Sequence, residues 1–122
     1  MNPLWIALAG ALGAASRYLI DFYLVSRVRG SFPVGTFTVN VTGSLALGFL
    51  AGLVLYRGMP VEVKVLLGTG FLGAYTTFST LMYETARLVE EGAWRAALVN
   101  AAGSLLAGVA AAAAGLWFAA LW

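Results

Sequence analysis

Four apolar stretches, each close to twenty residues and separated by only a few polar ones, leave this chain little choice of fold. They run over about residues 3–25, 34–56, 61–89 and 93–122. About 20 helical residues cross the hydrocarbon core of a bilayer. In hydrocarbon every backbone N–H and C=O needs an internal partner, so spans of this length form α-helices. The expected fold is an all-α membrane protein, with four transmembrane helices in a single domain over residues 1–122. Composition agrees: 61% of residues are hydrophobic and 10% charged, against about 25% charged in a soluble domain.

Arg27, Arg29, Gly30 and Pro33 punctuate the first connection, Arg57, Gly58 and Pro60 the second, and Glu90, Glu91 and Gly92 the third. Connections this short make neighbouring helices antiparallel and leave no extramembrane domain. The N-terminus lacks a basic region, and its apolar run continues past any plausible cleavage site, so it reads as a retained first helix. Trp5, Tyr18, Tyr23, Tyr56, Trp94, Trp117 and Trp122 fall where interfacial belts form.

Histidine and cysteine are absent and no segment carries paired carboxylates, so the chain does not read as an enzyme. A net charge of +2 is too small to indicate nucleic acid; the Arg and Lys residues read as interface anchors in a lipid bilayer. Arg27, Arg29, Arg87 and Arg95 lie toward one side, and Arg57, Lys64 and the amino terminus toward the other. So weak a positive-inside bias allows insertion both ways and an antiparallel dimer.

The third stretch departs from an ordinary span. Gly68 to Glu84 reads GTGFLGAYTTFSTLMYE, with glycines ahead of four hydroxyls that flank Phe78. Such a sequence predicts a third helix broken at mid-membrane depth. Irregular backbone at that depth survives only where protein or a polar cavity meets it, and transporters bind ions at such breaks. A kinked helix whose hydroxyls bond back to their own turn is the alternative.

Helix faces carry further polar groups. Thr36, Asn40, Ser44, Gly48 and Gly52 form one ladder at i, i+4 spacing, and Asn100, Ser104, Gly108 and Ala112 form another. Small residues let helices approach closely in lipid. Asn40 needs a partner at bilayer depth, and interhelical glue and pore lining are both open to it. Arg17 either snorkels to the interface or holds a permanent charge in a water-filled vestibule. Glu84 is an interfacial residue, a partner for an arginine, or a carboxylate on a conduction path.

Taken together, GALGAASRY (Gly10 to Tyr18), GTFTVNVTGSLALG (Gly35 to Gly48) and GFLGAYTTFST (Gly70 to Thr80), with Glu84 and the Asn100–Ser104–Gly108 spacing, resemble the Fluc family of small bacterial fluoride channels. The resemblance covers all four helices in order. It implies a dual-topology antiparallel homodimer in the bacterial plasma (inner) membrane. Such a dimer exports fluoride passively and protects the cytoplasm. It implies a structural sodium ion at the dimer interface, held by the backbone carbonyls of Gly73 and Thr76. It maps the fluoride pore onto Asn40, Phe78, Ser79, Thr80, Ser104, Arg17 and Glu84. Where the family has a second phenylalanine this chain has Leu81, whose side chain offers no ring quadrupole. The substitution raises the alternative of a heterodimer with a related subunit.

Two other classes compete. A small proton-coupled multidrug exporter needs a carboxylate within the first helix, and this one has only Asp21, near its end. A non-transporting assembly subunit accounts for the glycine ladders but not for the hydroxyls clustered with Asn40.

Overall fold

Asn2 caps the first helix: its side-chain oxygen accepts the Leu4 amide at 2.9 Å, and Pro3 opens the first turn with the fixed φ a helix wants. In the computed structural model, which describes residues 1–30 and 32–122, this helix, α1, runs Pro3–Arg27. Helix α2 runs Val34–Arg57 and ends on Gly58, whose φ of 67° is left-handed. The Gly58 amide closes on the Leu53 carbonyl, and Met59 joins it at 3.1 Å. The third span opens with α3, residues 61–75, which winds as a π-helix over Val65–Leu72. It resumes as α4, Ser79–Glu90. Gly92, at φ 80°, turns the chain into α5, Trp94–Leu121, with a second π-helical stretch at Val99–Gly103. The spans Pro3–Arg27, Val34–Arg57, Val61–Glu90 and Trp94–Leu121 are all long and apolar enough to cross a membrane.

Close packing of backbones holds these spans together. A Cβ at Gly48 would run into the Ala112 carbonyl, and one at Gly115 into the Leu45 carbonyl, so α2 and α5 meet backbone to backbone. A Cβ at Gly13 would strike the Phe71 carbonyl, which fixes α1 against α3. Gly108 differs from Gly48: its added Cβ would find only the Ser44 hydroxyl, at 3.5 Å. Of the two small-residue ladders, Gly48 therefore sits at a true crossing and Gly108 does not. The interior is small, with Val39, Leu50, Leu72 and Tyr75 at its centre. Leu105, Leu106 and Val109 are each more than 60% exposed, as expected of surfaces that meet lipid or another apolar face. Arg27 lies over the Tyr23 ring and Arg95 over Trp94 at one end of the bundle. At the other end Arg57 donates to the carbonyls of Ala119 and Ala120, which neutralises the negative end of α5.

Candidate functional site

The site is built where α3 stops. Thr76 is extended, at φ −82° and ψ 160°, and helix does not resume until Ser79. Hydroxyl-bearing residues offer the backbone alternatives to helical bonding, and here each alternative is taken. Thr76 still reaches back, its amide and its hydroxyl both donating to the Leu72 carbonyl at 2.9 and 3.0 Å. The Thr77 amide instead donates to Asn40 Oδ1 at 2.8 Å, and Asn40 Nδ2 donates to the Thr77 carbonyl at 2.8 Å. The Thr80 amide donates to Thr77 Oγ1 at 3.2 Å, while that hydroxyl donates to Thr80 Oγ1 at 3.1 Å.

In an unbroken helix the Thr77 amide would bond the Gly73 carbonyl and the Thr80 amide the Thr76 carbonyl. Both amides are diverted, one to Asn40 and one to Thr77 Oγ1. Among the described residues the carbonyls of Gly73 and Thr76 consequently have no helical partner. Gly73 itself is in ordinary helical conformation, φ −62° and ψ −34°, and is exposed. An added Cβ there would meet only the Gly68 carbonyl, at 3.6 Å. Glycine at a helix break is the residue expected where the backbone needs unusual freedom. Within one chain, position 73 has no such need.

Beneath the break lies an open cleft of about 650 Å³, walled by α2, the end of α3, the 76–78 segment, the start of α4 and α5. Asn40 and Ser44 line it from α2, Gly73 from the end of α3, Thr76 and Phe78 from the break, and Ser104 from α5. Its walls are otherwise apolar, and Leu81 lies in them, 8% exposed, while the Phe78 ring stands 74% exposed. Ser79 and Thr80 are not among the lining residues; Ser79 is exposed, with its hydroxyl 3.4 Å from Thr77 Oγ1, and Thr80 is half-buried against Thr77.

A second polar level lies one helical turn from the first. Glu84 Oε1 accepts the Thr36 hydroxyl at 2.9 Å, and Glu84 Oε2 is buried without a partner among the described residues. Asp21 packs directly against Gly35 in the first turn of α2. Asn100 is fully buried and donates to Thr85 Oγ1 at 2.8 Å, and Thr85 donates onward to the Leu81 carbonyl at 2.7 Å. Because Thr85 spends its proton on Leu81, it must accept from Asn100, which sets the orientation of that amide. Asn100 Oδ1 and Ser104 Oγ have no partner among the described residues. Arg17 is half-buried on α1, away from the cleft wall, and makes no ion pair among the described residues.

The structure thus brings Asn40, Phe78, Ser104, Gly73 and Thr76 to one cleft and leaves Arg17, Glu84, Ser79 and Thr80 off its wall. Sequence reasoning missed Thr77 and Thr85, and weighed Asp21 only against the proton-coupled exporter. Thr77 sits in the hydroxyl run already singled out, but nothing local distinguishes it from its neighbours.

Comparison with known proteins finds relatives along nearly the whole chain. A family profile described as CrcB-like protein, Camphor Resistance (CrcB), matches residues 4–116. A protein of Symbiobacterium thermophilum, named fluoride-specific ion channel FluC 1, is 50% identical over 118 residues, which cover 95% of each chain. Another FluC 1, of Leifsonia xyli subsp. xyli, is 48% identical over 96% of this chain and 88% of its own length. A third, of Streptomyces avermitilis, is 47% identical over 100% of this chain and 99% of its own.

Proposed function

The chain belongs to the CrcB-like family, and from that membership we infer that it is a fluoride channel, a multi-pass membrane protein and not an enzyme. The relatives' printed function, matched over nearly the whole length, is the observation that carries this reading. Flow is passive and runs outward from the bacterial cytoplasm. Vesicles loaded with fluoride and reconstituted with the protein are expected to empty within seconds of being uncoupled, without ATP or a proton gradient, and to retain chloride. Fluoride retention equal to that of protein-free vesicles would remove the channel reading.

Residues 76–78 are then a break at mid-membrane depth in the third span, and the cleft is the face on which a second, antiparallel copy docks. Its exposed Phe78, Gly73, Leu105 and Val109 support this. The carbonyls of Gly73 and Thr76 suit a hard cation such as sodium, because they are oxygen donors released from the helix ladder. Among the described residues no three His, Cys, Asp or Glu side chains come together to offer another ligand set. Bound there, sodium would be structural and tie the two copies together. Asn40, Phe78 and Ser104 line the fluoride path, with Ser79, Thr80, Glu84 and Arg17 toward its ends. Antiparallel pairing requires both orientations in one membrane. Cysteines placed near Arg29 and near Gly58 are each expected to be partly labelled from outside intact cells; exclusive labelling of one loop rules dual insertion out.

A further inference from the structure

The chain carries seven basic residues, and four of them are engaged. Arg27 lies over the Tyr23 ring, Arg95 lies over Trp94, and Arg87 pairs with Glu91 at 3.3 Å. Arg57 donates to the Ala119 and Ala120 carbonyls of α5. Three remain. Arg29 is exposed in the first connection, and Arg17 stands on α1, which contributes no residue to the cleft wall. Lys64 makes no ion pair among the described residues, and of the three it alone stands on a helix that walls the cleft.

The cleft runs along α2 from Asn40 to Leu47, along α5 from Ala101 to Ala112, and along α3 from Gly73 back to Gly68. All three paths lead away from the break, toward the end of the bundle where α3 begins. Lys64 is half-buried one turn beyond Gly68, on the same helix face. Its Cγ lies 3.8 Å from the point that a Cβ on Gly68 would occupy, and Leu47 Cδ1 lies 3.1 Å from it. The lysine stem therefore follows the face of α3 that lines the cleft. Glu62, the nearest carboxylate in sequence, is exposed one turn from Leu66, which lines a separate apolar groove between α1 and α3. Nor does the helix call for a cation here. Its first turn is the positive end of the dipole and favours acidic residues; Glu62 suits it and Lys64 opposes it.

We propose that Lys64 is a steering residue at the mouth of the fluoride path: its ammonium draws the anion to the end of the cleft that opens beside Gly68. The inference rests on the channel reading, with the cleft as the path. A unit charge about 7 Å from an anion in water raises its local concentration about threefold. Salt removes the effect, because the screening length falls from about 30 Å at 0.01 M to about 3 Å at 1 M.

The chain has no cysteine, so the charge at position 64 can be varied within one folded protein. Lys64→Cys is reconstituted in vesicles, and fluoride flux is measured before and after reaction with a methanethiosulfonate bearing either trimethylammonium or sulfonate. At about 0.01 M ionic strength the unmodified cysteine is expected to conduct about threefold less than wild type. The cationic adduct restores the flux, and the anionic adduct lowers it about threefold further. At about 1 M of an impermeant salt these differences disappear. A passive path has one permeability in either direction at low fluoride, so a mixture of orientations leaves the result readable. Glu62→Cys, treated alike, is expected to respond less. An equal response at both positions means a general surface potential and overturns the proposal. So does flux indifferent to both adducts, with labelling verified by mass spectrometry, or flux altered equally at every salt concentration. A cysteine that does not react is not at a water-filled mouth, which overturns it too. Wild-type protein without fluoride flux overturns the channel reading, and this proposal with it; wild-type flux insensitive to the charge at 64 overturns this proposal alone.

Discussion

Asn40→Asp is expected to lower fluoride flux by about a hundredfold at neutral pH while leaving the chain folded. The asparagine amide both gives and takes: Nδ2 donates to the Thr77 carbonyl and Oδ1 accepts the Thr77 amide. A carboxylate only accepts. It keeps the bond from Thr77 N–H but sets a charged oxygen against the Thr77 carbonyl, which then has no donor. Leaving a buried group unpaired costs about 1–3 kcal/mol, and more beside a charge; about 1.4 kcal/mol is a factor of ten. The same charge repels an anion in the cleft, since Asn40 lines it. Acidification carries an opposite expectation. A protonated carboxyl regains one donor and one acceptor, so it reproduces the asparagine pattern, and flux in the variant should recover as pH falls. Fluoride efflux from vesicles, referred at each pH to protein-free vesicles, measures both effects. Flux within about threefold of wild type at neutral pH would take Asn40 out of the path.

Gly73→Val is expected to abolish flux through loss of the dimer, not through misfolding. In the single chain the substitution is accommodated: the backbone at 73 is ordinary helix, the position is exposed, and an added Cβ meets only the Gly68 carbonyl at 3.6 Å. Replacing glycine in a conformation the new residue can adopt even restricts the unfolded chain, a small gain in stability. Any large defect must then come from outside the chain, from a partner copy brought against the break. The expected result is a helical, monodisperse monomer with wild-type circular dichroism and no fluoride flux. A variant that still dimerises and conducts would separate Gly73 from the subunit interface and from the shared cation. Gly48 is the contrast, because its added Cβ meets the Ala112 backbone within the same chain, and substitution there is expected to damage folding itself.

The sequence by itself determined that the chain is helical, that it crosses a membrane with four apolar spans, and where those spans begin and end. The predicted ends differ from the observed ones by two residues at most. Span length is set by bilayer thickness and span apolarity by the cost of burying polar groups, and both are local properties of consecutive residues. Motif order likewise sufficed for the family, since motifs are strings. Which of two similar glycines meets a backbone, as Gly48 does and Gly108 does not, was decided only by the crossing of α2 and α5. The hydrogen-bond partners of Asn40 and Thr77 were decided the same way. Their two bonds join positions 37 residues apart, and no periodicity along one helix encodes the partner that another helix brings. An amide at bilayer depth must be satisfied, so the sequence could state the need; only the packed helices supply the group that meets it.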